Sequence, residues 1–70
     1  MKIVAIKPDG QTEDLIGGYS SRGHAYATAT KWTIDCRVNG NPHGYKQLAI
    51  RTDDGKPVSG YDDSDTLLQI

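Results

Sequence analysis

The stretch from Ser21 to Val38 decides what this chain can fold into, because it fills the middle of the sequence and reads two ways. At the helical period, Ala25, Ala29, Trp32 and Cys36 fall at i, i+4, i+7 and i+11, with Tyr26 beside them on the same face. At period two, Ala25, Ala27 and Ala29 alternate, then Trp32, Ile34, Cys36 and Val38 alternate in the opposite phase, so a strand needs a bulge near Lys31. Thr28, Thr30, Thr33, Ile34 and Val38 favour a strand, since β-branching restricts side-chain rotation in a helix. The punctuation favours a helix. Ser20 or Ser21 can cap its start, Asn39-Gly40 suits a left-handed stop, and Pro42 follows where a helix cannot continue.

The flanking segments supply strands. Residues 2 to 7 are rich in Ile and Val and run into Pro8-Asp9-Gly10, with Pro and Gly at favourable turn positions. Gln11 to Ile16 reads as the short, acidic returning strand, ended by Gly17-Gly18. Lys46 to Thr52 alternates Leu48 and Ile50 against Ala49 and Arg51, and Asp53-Asp54-Gly55 turns the chain into Pro57-Val58. Pro57 cannot donate to a ladder, so that returning strand is expected at an edge. Thr66 to Ile70 reads as a further short strand or as irregular packing over the sheet. The expected fold is α+β, a ββαββ-like layout with one helix packed on a small antiparallel sheet; the rival is a small all-β sheet or barrel with a long hairpin turning at residues 39 to 44. Trp32 is expected to be mostly buried against Leu48 and Ile50, which alternate inward on the clearest strand.

At 70 residues the chain sits near the lower size limit for one hydrophobic core, so a single compact domain over residues 1–70 is expected. Cys36 is the only cysteine, which precludes an internal disulfide and points to a reducing compartment, the cytoplasm. The N-terminal apolar run, Ile3 to Ile6, is too short for a signal-peptide core, and no stretch is long and apolar enough to span a bilayer; a soluble protein without a membrane partner is expected.

Complete chemical motifs are lacking. Gly18 and Gly23 have the spacing of the two phosphate-loop glycines, but His24 and Ala25 stand where Lys and Ser or Thr would hold phosphate and magnesium. His24, His43 and Cys36 fall short of a four-ligand zinc site and lack ligand spacing. Asp53-Asp54-Gly55 reads as a turn, and Asp62-Asp63-Ser64-Asp65 as a solvated charge run without the spacing of a calcium loop. Neither enzymatic activity nor a cofactor is expected.

Charge placement carries the remaining signal. Residues 18 to 51 hold Arg22, Lys31, Arg37, Lys46 and Arg51 against Asp35 alone, a net of +4, while residues 52 to 70 hold Lys56 against five aspartates, a net of −4. On a helix, Arg22, Tyr26, Thr33 and Arg37 share one stripe beside the apolar face. Cations interleaved with an aromatic suit an acidic protein groove or a phosphate backbone. The expected function is therefore a small non-enzymatic binding or regulatory module acting by protein–protein contact. Its contact residues are Arg22, Tyr26, Lys31, Arg37, Lys46 and Arg51, and weak nucleic-acid binding through the same stripe is the alternative. In size and layout the chain resembles the small accessory and inhibitor proteins of phages and mobile elements, which implies a larger protein as partner. A thin core and an exposed edge strand also make a homodimer an expected form.

Overall fold

A computed structural model describes residues 1–70 as β1 (Lys2–Ile6), β2 (Thr12–Ile16), α1 (Arg22–Val38), β3 (Gln47–Arg51), α2 (Asp63–Thr66) and β4 (Leu67–Gln69). The four strands form one antiparallel sheet in the order β2-β1-β3-β4, with α1 packed across it. The layout is the expected α+β arrangement, and the sheet does not close into a barrel. No helix is long and apolar enough to cross a membrane.

Both tight turns are built the same way. The Gly10 amide donates to the Lys7 carbonyl at 2.9 Å and the Lys7 amide donates to Gln11 at 2.8 Å; Gly55 and Thr52 repeat the pattern with Thr52 and Lys56, each at 2.9 Å. The glycines take φ of +89° and +87°, the left-handed position that such three-residue turns require.

Helix α1 forms despite its threonines because their hydroxyls are absorbed locally. Thr28 donates to the His24 carbonyl, Thr30 to Tyr26 and Thr33 to Thr30, so none competes for a non-helical backbone. The Ser21 hydroxyl accepts the His24 amide at 3.2 Å and caps the start. At the other end the Gly40 amide donates to Arg37 and the Asn41 amide to Cys36, with Gly40 at φ +77°, a Schellman stop.

The core lies between α1 and one face of the sheet. Register pairs Ile3 with Ile50 and Ala5 with Leu48, and Leu48 in turn with Leu68, so these side chains share that face. Ala25 and Ala29 cover them, joined by Tyr45 and Val58. Because both helix residues are alanine, α1 seats close to the sheet, and this corrects the expectation for Trp32. Trp32 is only half-buried and packs on the rim of the core; Thr33, placed by the helical reading on the cationic stripe, is buried with Cys36.

One other expectation is corrected. Pro57 does not begin a returning strand: it makes one isolated bridge with Arg51, and the chain then leaves the sheet. Val58 turns into the core, and the chain rejoins the same side of β3 at Leu67, opposite Ala49. Proline cannot donate the next ladder bond, so the hairpin is interrupted where it stands. The acidic run within this detour folds into the four-residue α2, whose first turn is capped by the Asp62 carboxylate on the Ser64 amide. The Ser64 hydroxyl also bonds Asp62 and, with the Ser64 amide, holds the Asp62 carboxyl below its ordinary range.

Candidate functional site

Three of the sequence-derived contact residues gather on one flank of α1, where the C-terminal segment meets it. The Arg22 guanidinium lies between two aromatic rings, 5.0 Å from the centre of Tyr26 and 4.8 Å from that of Tyr61, and donates to the Asp65 carbonyl at 2.9 Å. Its Nε is buried without a hydrogen-bond partner. Arg37, four turns further along, donates to the Gln69 carbonyl on β4. Both cations are therefore engaged with main-chain oxygens of α2 and β4. Between them Tyr26, Thr30, Thr33 and Ile34 line a shallow groove against Leu67, Leu68 and Gln69.

The other cations lie elsewhere. Lys46 precedes β3 with an exposed side chain, and Arg51 ends that strand on the face turned away from α1, opposite Lys2. Lys2 is itself paired with Asp14 at 2.8 Å. The net +4 of the central segment is thus dispersed over separate surfaces and forms no continuous basic patch.

Lys31 belongs to a second feature on the opposite flank of α1. Thr28, Lys31, Trp32, Asp35, Cys36 and Asn39 form one wall of a groove of about 300 Å³, closed on the far side by Pro42 and His43. The loop that carries Pro42 and His43 is held by the Schellman stop and by Asn41, whose side-chain amide donates to the Tyr45 carbonyl while its oxygen accepts the Tyr45 amide. Asn41 adopts φ +51°, which turns the chain back across the end of the helix. His43 stacks on the ring of Tyr45 at 5.2 Å and 16° between planes, so the groove's far wall rests on a buried aromatic. The sequence reading treats His43 as a plain loop residue. The proximity of Pro42-His43 to Trp32 depends on how the stop folds the loop, and no periodicity reveals that.

Beneath this wall the Tyr45 hydroxyl donates to the Glu13 carboxylate on β2. The bond to Glu13, followed by burial, pushes the Tyr45 pKa up to about 12. Cys36 is buried, as the helical reading expects, and His24 is remote from it, packed edge-on against Tyr19 at 5.4 Å. No group of three metal-ligating side chains comes together.

Both outer strands of the sheet are blunted. β4 is three residues long, and Arg37 occupies its Gln69 carbonyl. β2 carries Glu13 and Asp14, and its register with β1 slips between Ile3 and Val4. Charge, brevity and irregularity are the usual means of discouraging edge-to-edge pairing. No protein-family model matches the chain, and neither a curated protein nor a solved structure matches it.

Proposed function

We propose that the protein is a non-enzymatic binding module that acts by protein–protein contact, with the Trp32 groove receiving a large apolar side chain of its partner. The observation that carries this reading is the position of the only tryptophan: half-buried, on the wall of the groove and across from Pro42 and His43. Tryptophan in a partly desolvated pocket is the residue type most often found at the energetic centre of a protein interface. Lys31 and Asp35, at the mouth, provide a polar rim of both signs that orients a partner. The dispersal of the other cations supports a protein partner over a nucleic acid, whose phosphates call for a continuous basic track.

The test is capture by the immobilised chain from nuclease-treated lysate, with the captured protein identified and purified. Binding of that protein should shift the Trp32 fluorescence. His43→Ala and Lys31→Glu should weaken capture at least about tenfold while still melting cooperatively, with Lys31→Glu, at an exposed position, melting like the parent. Undiminished capture by both variants rejects the groove. Loss of capture on nuclease treatment promotes the nucleic-acid reading.

A further inference from the structure

The far wall of the Trp32 groove is a ring platform with one face uncovered. His43 lies with one face on Tyr45, at 5.2 Å between ring centres and 16° between planes, yet its side chain is exposed. The other face of the imidazole is therefore open, on a residue that lines the groove. The platform is held from beneath. The Asn41 side chain bonds both main-chain polar groups of Tyr45, and the Tyr45 hydroxyl is bonded to Glu13. The Asn41 main chain ties the same loop down, its amide donating to the Cys36 carbonyl and its carbonyl accepting the Gly44 amide. A platform fixed before a partner arrives loses little freedom when a ring settles on it. The opposite wall presents a second ring, Trp32. Its neighbours on that wall are Lys31 and Asp35, both exposed and neither in an ion pair within the chain.

We propose that the side chain this groove takes is an aromatic one with its own hydrogen-bond donor, a tyrosine or tryptophan of the partner protein, its ring on His43 and its donor on Asp35. The proposal rests on the protein-contact reading of the groove and adds the chemistry of the residue that enters it. Charge complementarity selects that guest. A cationic side chain meets Lys31 and an acidic one meets Asp35, so a guest of either sign is opposed at the mouth. A neutral ring with an O–H or N–H suits both: its face attracts the Lys31 ammonium, and its donor suits an ionised carboxylate, which only accepts hydrogen bonds. The apolar body and polar tip of tyrosine or tryptophan match a groove with rings on two walls and charges at the mouth. An aliphatic side chain fills the same space but gains nothing from the open imidazole face. His43 thus selects for a ring and Asp35 for its donor, while Asn41 is a positioning residue that acts through Tyr45.

The test titrates the full chain with the N-acetylated amides of tyrosine, phenylalanine, leucine and arginine while the NMR signals of the His43 and Trp32 rings are followed. Dissociation constants in about the millimolar range are expected for a single side chain. The tyrosine probe should bind about two- to tenfold more tightly than the leucine probe, with phenylalanine between them. Asp35→Ala should bring tyrosine to the level of phenylalanine and leave phenylalanine unchanged. His43→Leu should remove the preference for rings while leucine still binds. Leucine or arginine binding at least as tightly as tyrosine, with the same two rings responding, overturns the proposal and leaves the groove reading standing. A tyrosine preference that survives both Asp35→Ala and His43→Leu overturns it as well. So does silence of both rings towards every probe, whereas the groove reading falls only when His43→Ala and Lys31→Glu leave partner capture undiminished.

Discussion

Arg22, in the first turn of α1, is bonded to the Asp65 carbonyl 43 residues away and holds the C-terminal segment onto the helix. Two aromatic rings sandwich the guanidinium, Tyr26 from its own helix and Tyr61 from the detour. The helix N-terminus, the α2 turn and the start of β4 are thereby coupled through one side chain.

Arg22→Ala should therefore destabilise the fold, against the small effect expected of an exposed helical cation. A charge-assisted hydrogen bond and two ring contacts at a partly exposed position are together worth about 1–2 kcal/mol. In a domain of this size that is a fall in Tm of roughly 5–15 °C. Arg37→Ala should cost less, since its contact is a single exposed one. Thermal melts of the two single variants check the order.

Tyr45 should make stability fall at alkaline pH. Folding raises its pKa from 10.0 to about 12, so the folded chain holds the phenolic proton more tightly than the unfolded one. The contribution is full below pH 10 and is lost as pH rises from 10 towards 12. In Tyr45→Phe this component should vanish, and neutral stability should drop by about 1 kcal/mol for the lost bond. Denaturant titrations at a series of alkaline pH values measure both.

Leu48→Ala should cost more than Trp32→Ala, although tryptophan is the larger residue. Leu48 is wholly buried between α1 and the sheet, whereas Trp32 rests on the rim. Expected losses are about 3–5 kcal/mol for Leu48 and about 1–3 kcal/mol for Trp32. A Trp32→Ala chain that melts cooperatively beside an unfolded Leu48→Ala chain would match this ranking.

Cys36 is 4% exposed, so its thiol should react slowly with an alkylating reagent until denaturant opens the fold. Labelling kinetics with and without denaturant decide the point, and fast native labelling would mean that the groove opens down to its wall.

The elements best legible in the sequence are those set by short-range chemistry. Ser21, Gly40 and Pro42 mark the ends of α1, and Gly10 and Gly55 mark the two turns, because each acts through backbone geometry within a few residues. What escapes is decided by distant partners. Trp32 is displaced to the rim by the close seating of Ala25 and Ala29, and Val58 leaves the hairpin for a place in the core, with α2 on the way back to β4. Arg22, Tyr26 and Arg37 lie along one flank of α1, while Thr33 is buried. The two cations are bonded to carbonyls of Asp65 and Gln69, which no helical wheel contains.

The strand order also sets a timetable for assembly. β1 is central in the sheet but first among the strands; it pairs with β2 across one tight turn, whereas Lys2 meets Arg51 only after α1 has crossed over. Closing that long loop is entropically the more expensive step, so β1–β3 pairing should limit the folding rate. During synthesis the second edge of β1, carrying Ile3-Val4-Ala5, waits while some 45 more residues are added, roughly a few seconds at ordinary elongation rates. The vulnerable edge of the nascent chain is thus the strand that ends up best protected in the finished one.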